Sequence, residues 1–136
     1  MRNIIKKILK EDFDWADEHE FTQEEVLQHI KDNNITEWTF GEHWDGRLNL
    51  YGTSITNLGN LGSVGGDLYL YDTPITNLGN LESVGGYLNL GVTPITNLGN
   101  LESVGGNLSL YDTPMSEKYS EQEIRTMVTV RGNIYM

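Results

Sequence analysis

One fourteen-residue stretch occurs twice without a change: TPITNLGNLESVGG fills Thr73–Gly86 and again Thr93–Gly106. A near copy, TSITNLGNLGSVGG, fills Thr53–Gly66, so the offset is 20 residues each time. A short segment with a fixed period cannot bury its own apolar face, and copies of it do so by stacking as turns of a coil. The expected fold is therefore mainly β with an α cap: a right-handed parallel β-solenoid of about five 20-residue rungs. In this reading residues 1–34 form an N-terminal helical cap. Residues 35–136 form the solenoid, with a short helical insertion near 117–128, and the whole is one folding unit.

Each copy is followed by a triplet that alternates apolar and polar: Leu48-Asn49-Leu50, Leu68-Tyr69-Leu70, Leu88-Asn89-Leu90, Leu108-Ser109-Leu110 and finally Ile134-Tyr135-Met136. Alternation of period two puts the outer residues of a strand inward and the middle one outward. Thr73-Pro74-Ile75 repeats the alternation and predicts a second strand face. Leu78, Leu81 and Val84 then recur every third residue, which suits an irregular arm. The second glycine of the closing pair is kept in five places (Gly46, Gly66, Gly86, Gly106, Gly132), while the first gives way to Asp45 and Arg131. The second position is thus expected to need positive φ. Thr53, Thr73, Thr93 and Thr113 share the inward parity and are expected to form an internal hydroxyl ladder. The asparagines of the NLGN segments, Asn57 and Asn60 and their equivalents, are expected to ladder likewise and to satisfy backbone groups at the bends.

The ends of a solenoid need covering. Ile4, Ile5, Ile8 and Leu9 predict an amphipathic helix over residues 2–15. A second helix begins at Phe21-Thr22, where Thr22 and Glu25 have capping-box spacing, and closes at Asp32-Asn33-Asn34. Ile35–Arg47 reads as a worn half-rung, with Trp38 in the leucine column and Trp44 in the valine column. Near the C-terminus the fourth rung is lengthened by six residues, and Ser120 and Glu123 begin a short helix there in place of its usual linker. Ile134-Tyr135-Met136 is expected to be an edge strand. Either that helix covers it or a second copy does, in a two-fold homodimer.

The rung L-x-L…T-x-I…L-x-x-L-x-x-V-G-G resembles the leucine-rich-repeat-like β-solenoids, especially the receptor-L-domain type, over residues 35–136. Short chains of this pattern occur in bacteria and phages, and IIKKILKEDFDW is similar to the start of such proteins. A second strand face replaces the helix of eukaryotic leucine-rich repeats, and flanking disulfides are absent. The resemblance implies a binding scaffold rather than an enzyme.

Composition narrows the function further. The formal charge is −11, and residues 48–107 hold four acids but neither Lys nor Arg. Such a surface is poorly suited to phosphate, so no direct nucleic-acid binding is expected. There is no cysteine for a disulfide or a thiolate metal site. No stretch is long enough to span a membrane. The opening MRNIIKKILK fails as a signal peptide because Lys6 and Lys7 interrupt its apolar run. The expected setting is cytoplasmic, or host cytoplasm if the chain is phage-encoded. His19, His29 and His43 lack zinc-site spacing, no nucleophile elbow is present, and the GG pairs precede no lysine-bearing helix. No catalytic residue, metal or cofactor is assigned.

What remains is the outward face of the triplet sheet. Its positions read Arg47, Asn49, Tyr51; Asp67, Tyr69, Tyr71; Tyr87, Asn89, Gly91; Asn107, Ser109, Tyr111; Asn133, Tyr135. Tyrosine offers a large contact area with few rotors, and Asn and Ser add adaptable hydrogen bonds. Asn49, Tyr51, Tyr69, Tyr71, Tyr87, Asn89, Tyr111 and Tyr135 are the expected partner-binding residues of a non-enzymatic protein-interaction module. The opposing reading is that these tyrosines only pack along their columns. A second functional expectation is a small acidic phage-type inhibitor of a host nucleic-acid-processing or defence protein.

Overall fold

The computed structural model of the protein describes residues 22–136. The helix expected over residues 2–15 lies outside the described residues. The second helix, α1 (Gln23–Asn33), begins at the expected capping box: Thr22 Oγ1 accepts from the Glu25 N–H, and Glu25 Oε1 accepts from the Thr22 N–H. Asn34 stops it in the left-handed region at φ 51°. Its buried residues, Val26 and Ile30, join the solenoid core.

The rest is a parallel β-solenoid built from two sheets of two-residue strands. Along the chain, β1 (His43–Trp44) alternates with β2 (Leu48–Asn49), then β3 (Ser63–Val64), β4 (Leu68–Tyr69), β5 (Ser83–Val84), β6 (Leu88–Asn89), β7 (Ser103–Val104), β8 (Leu108–Ser109), β9 (Thr129–Val130) and β10 (Ile134–Tyr135). The odd strands form one sheet in the order β1-β3-β5-β7-β9 and the even strands the other, β10-β8-β6-β4-β2. From β1 to β8 each strand residue pairs with its counterpart 20 positions on, Leu48 with Leu68 and Leu68 with Leu88. A core of stacked columns runs between the sheets. Leu48, Leu68, Leu88 and Leu108 are fully buried, as are Ile55, Ile75 and Ile95.

Three turns keep the 20-residue period, fewer than the roughly five rungs expected. The outermost strands come from irregular ends. β1 belongs to the worn half-rung, where Trp44 pairs with Val64 and Trp38 stacks edge-on against both Trp44 and Phe40. β9 follows the lengthened turn, so that Ser103 pairs with Thr129. That turn holds two helices, α2 (Pro114–Lys118) and α3 (Glu121–Met127). The second is the one expected from Ser120 and Glu123. The first, capped by Thr113 with proline in its first turn, is an addition to the sequence reading.

Three local expectations are corrected. The second sheet is built from the Ser-Val pairs and not from Thr-Pro-Ile. Thr73 and Ile75 do point inward, but proline brings no N–H to a ladder, and that side of the coil has only isolated bridges such as Asn77 with Asn97. The second glycine of the GG pair has positive φ only at Gly46. Elsewhere the requirement is room: a Cβ on Gly66 would lie 2.6 Å from the Gly46 carbonyl carbon. The buried threonines form no rung-to-rung ladder either. Each hydroxyl donates within its own turn to the carbonyl three residues back, Thr73 to Leu70 and Thr93 to Leu90, both at 2.7 Å. The asparagines do satisfy the bends, as Asn57, Asn77 and Asn97 each accept from the N–H two residues on.

Candidate functional site

Outward positions of the even-strand sheet fall into three columns. The central one reads Asn49, Tyr69, Asn89, Ser109, Tyr135, following the ladder pairs. Here the backbone itself orients the amides. Asn49 Oδ1 accepts from the Tyr51 N–H at 3.0 Å and Asn89 Oδ1 from the Gly91 N–H at 2.9 Å. Since an amide presents its oxygen to a donor, both Nδ2 groups are left as outward donors.

The tyrosines sort themselves around these amides. Tyr51 and Tyr71 stack at 5.5 Å between ring centroids with 27° between planes. Tyr69 leans the other way, edge-on to Tyr87 at 5.8 Å, with its hydroxyl donating to Asp67 Oδ2 at 3.3 Å. The Arg47 guanidinium lies over the Tyr69 ring, 6.0 Å from its centre. Asp67 is further committed by accepting from the Tyr87 N–H at 2.8 Å. Between the two leaning groups runs an open trough of about 460 Å³ lined by Asn49, Tyr51, Tyr69, Tyr71 and Asn89. Gly91 makes this possible: it is buried, and a Cβ there would lie 3.1 Å from the Tyr71 ring.

Six of the eight expected residues are thus brought together: Asn49, Tyr51, Tyr69, Tyr71, Tyr87 and Asn89. Tyr111 and Tyr135 are not in the cluster. They are 61% and 46% exposed and make no ring contact among the described residues. Ser109 is buried. Packing along columns does occur, but it leaves Tyr51 52% exposed. Arg47 and Asp67, which hold Tyr69 in place, were not among the expected site residues. The available signal was that both stand at intervals of 20 in one outward column with Tyr87.

The ends of this sheet are treated differently. At β2, the Gln23 amide of α1 takes the place of a missing strand: its Oε1 accepts from the Asn49 N–H at 2.5 Å and its Nε2 donates to the Asn49 carbonyl at 2.9 Å. These are the two groups that the next turn uses in pairing, as when Leu50 N–H donates to the Tyr69 carbonyl. At β10, no such side chain reaches the strand among the described residues.

The odd-strand sheet carries the one arrangement that looks like a proton relay. His43 stands between Ser63 Oγ, 2.5 Å from Nδ1, and Asp45 Oδ1, 2.7 Å from Nε2. It heads a shallow groove of about 720 Å³ running over the serine and glycine columns. Two features tell against catalysis. Asp45 is 91% exposed, so water screens its influence on the imidazole. The nearby amides of Ser63, Gly65 and Gly66 all donate within the solenoid, so these three are not available to an oxyanion. Among the described residues no helix is long and apolar enough to cross a membrane.

The chain matches no family model, no curated protein and no solved structure. The functional reading therefore rests on the geometry above.

Proposed function

We propose that this protein is a non-enzymatic protein-interaction module that binds its partner through the Tyr/Asn-rich outer face of the even-strand sheet. The observation that carries the reading is the trough. Aromatic rings with few rotors flank two amide donors whose orientation the backbone fixes, so little entropy is lost when they are engaged. The solenoid beneath supplies a rigid support for such a site. A cytoplasmic setting and a right-handed coil of leucine-rich-repeat-like type belong to the same reading, on the strength of the L-x-L, T-x-I and V-G-G columns and the absence of cysteine.

The test is affinity capture from the native host with the full chain and with a Tyr69→Ala/Tyr71→Ala/Tyr87→Ala variant, after circular dichroism has established that both fold. Loss of the partner with the variant is expected. Equal capture by both would remove this face from the account. A second copy is a further partner in this reading, meeting β10 across a two-fold axis. Light scattering over a concentration series then gives a mass that rises toward the dimer, and a constant monomer discards it. The acidic-inhibitor reading has one short column to draw on, Glu42, Glu82 and Glu102, which Gly62 interrupts, while Asp67 and Asp45 are tied to local donors.

A further inference from the structure

We infer that the segment taken by the tyrosine trough is a proline-rich stretch in the polyproline II conformation, with lysine or arginine on one flank. This rests on the interaction-module reading above and names its partner's chemistry.

The first argument is spacing. Asn49 and Asn89 stand two turns apart in the central column, with Tyr69 between them. Adjacent strands are separated by about 4.8 Å, so their outward Nδ2 donors lie about 9.6 Å apart along the coil axis. A polyproline II helix rises about 3.1 Å per residue and repeats every three, about 9.3 Å per turn. Its carbonyls have no internal partners. A segment lying along the axis brings one such carbonyl per turn to each amide.

The second argument is the shape and chemistry of the walls. The stacked Tyr51–Tyr71 pair forms one side and Tyr69 the other. Proline rings, which carry no N–H donor, pack on aromatic walls of this kind. The trough offers donors and ring faces, whereas the carboxylate that holds its Tyr69 wall, Asp67, is already engaged by Tyr69 and Tyr87. A ligand that supplies acceptors and apolar rings therefore fits it.

Charge fixes the flank. Residues 48–107 contain no Lys or Arg. Asp72 follows Tyr71 directly, is exposed, and has no ion-pair partner among the described residues. Across the trough, on its opposite side, Arg47 covers Tyr69. A basic residue of the ligand belongs beside Asp72, away from Arg47.

Isothermal titration of the full chain tests this in three measurements: a proline-rich peptide bearing an arginine among its prolines, the same peptide with its prolines replaced by glycine and serine, and the first peptide against Asn49→Asp/Asn89→Asp. That double change keeps the oxygens that hold the Tyr51 and Gly91 N–H groups but turns both outward donors into acceptors. It also adds negative charge, so electrostatic attraction for arginine cannot explain a loss. Binding of the first peptide is expected, weaker by about tenfold or more without proline and again with the double variant. No binding of the first peptide, or equal binding in either comparison, overturns the inference. Should a host partner be captured through the tyrosine face but not be displaced by the proline-rich peptide, this inference falls and the interaction module stands. A partner captured equally by the triple tyrosine variant overturns both.

Discussion

The two outer faces of the coil carry very different amounts of variety. On the odd-strand sheet every regular turn repeats the same letters: Ser63, Ser83, Ser103, with Gly65, Gly85 and Gly105 beside them. On the even-strand sheet the same turns give Asn49, Tyr69, Asn89 and Ser109 in a single column. Burial of the inner columns is equal on both sides, so the core does not explain the contrast. Backbone proximity does. A Cβ on Gly85 would lie 2.1 Å from the Gly65 carbonyl oxygen, and one on Gly105 would lie 2.2 Å from that of Gly85. Successive turns close on each other at this corner and only hydrogen fits. The even-strand face meets no such restriction, so its outward residues are free to carry a binding surface.

The sharpest way to break this comparison is Gly85→Ala. The contacted atom is backbone on the turn below, so relief requires two turns to move apart. A loss of about 3 kcal/mol is expected, read as a lowered midpoint in urea. Asp45 escapes the same clash because no earlier turn lies beneath it among the described residues, and Arg131 reaches the column only after the lengthened turn. A midpoint within error of the parent would mean that the constancy of the serine–glycine face has another cause, and that this face too deserves a search for ligands.

A second comparison is between the ends of the sheets. In the inner turns, Val104 and Gly106 carbonyls accept from the Arg131 and Gly132 N–H groups, each at 3.0 Å. The corresponding carbonyls of the last turn, Val130 and Gly132, have no further turn to pair with among the described residues. Arg125 of α3 supplies both donors instead, at 2.9 Å each. Gln23 does the same service for β2 with an amide. Arg125→Ala is expected to cost about 1.5 kcal/mol, a value kept modest because the side chain is partly exposed. Amide hydrogen exchange should accelerate in β9 and leave β5 unchanged. Uniform acceleration across both strands would show that the guanidinium acts on the whole coil rather than on its end.

Much of this architecture was legible because it depends on columns. A residue type that recurs every 20 positions reports an environment that recurs, and leucine, isoleucine and valine report a dry one. The half-rung at Ile35–Arg47 could be read for the same reason, with Trp38 and Trp44 standing in the apolar columns. Conformation at a single position was less legible. Glycine is required both for positive φ and for close approach, and the letter alone does not say which. Thus the GG corner was read as a φ requirement, while the glycines that recur in the left-handed region from turn to turn are Gly59, Gly79 and Gly99 in the NLGN bends. The strand content of Ser-Val and the lack of it in Thr-Pro-Ile were hidden because both segments alternate. Gln23 and Arg125 were invisible for another reason. Each acts once, on one end, and nothing repeats to draw the eye to it.

The smallest predicted effect lies where the variable face turns away from its sheet. Positions 52, 72, 92 and 112 all have positive φ, and three of them are Gly52, Asp72 and Asp112. The fourth is Val92 at φ 53°. A β-branched side chain is among the poorest occupants of the left-handed region, whereas aspartate is helped there by short polar contacts with its own backbone. Val92 makes the same ladder bond as its counterpart: its N–H donates to the Tyr111 carbonyl at 2.9 Å, as Asp72 N–H does to Gly91. The turn is therefore held in place by its neighbours, and valine is strained within it. Val92→Asp is expected to stabilise the protein by about 1 kcal/mol, with Val92→Gly recovering somewhat less because glycine adds freedom to the unfolded chain. Both are measured as an upward shift of the urea midpoint. A stability that falls in both variants would mean that the partly buried valine side chain contributes more by packing beside Gly91 than its backbone loses. The even-strand face would then be constrained by packing at this corner, and the contrast between the two faces would be one of degree.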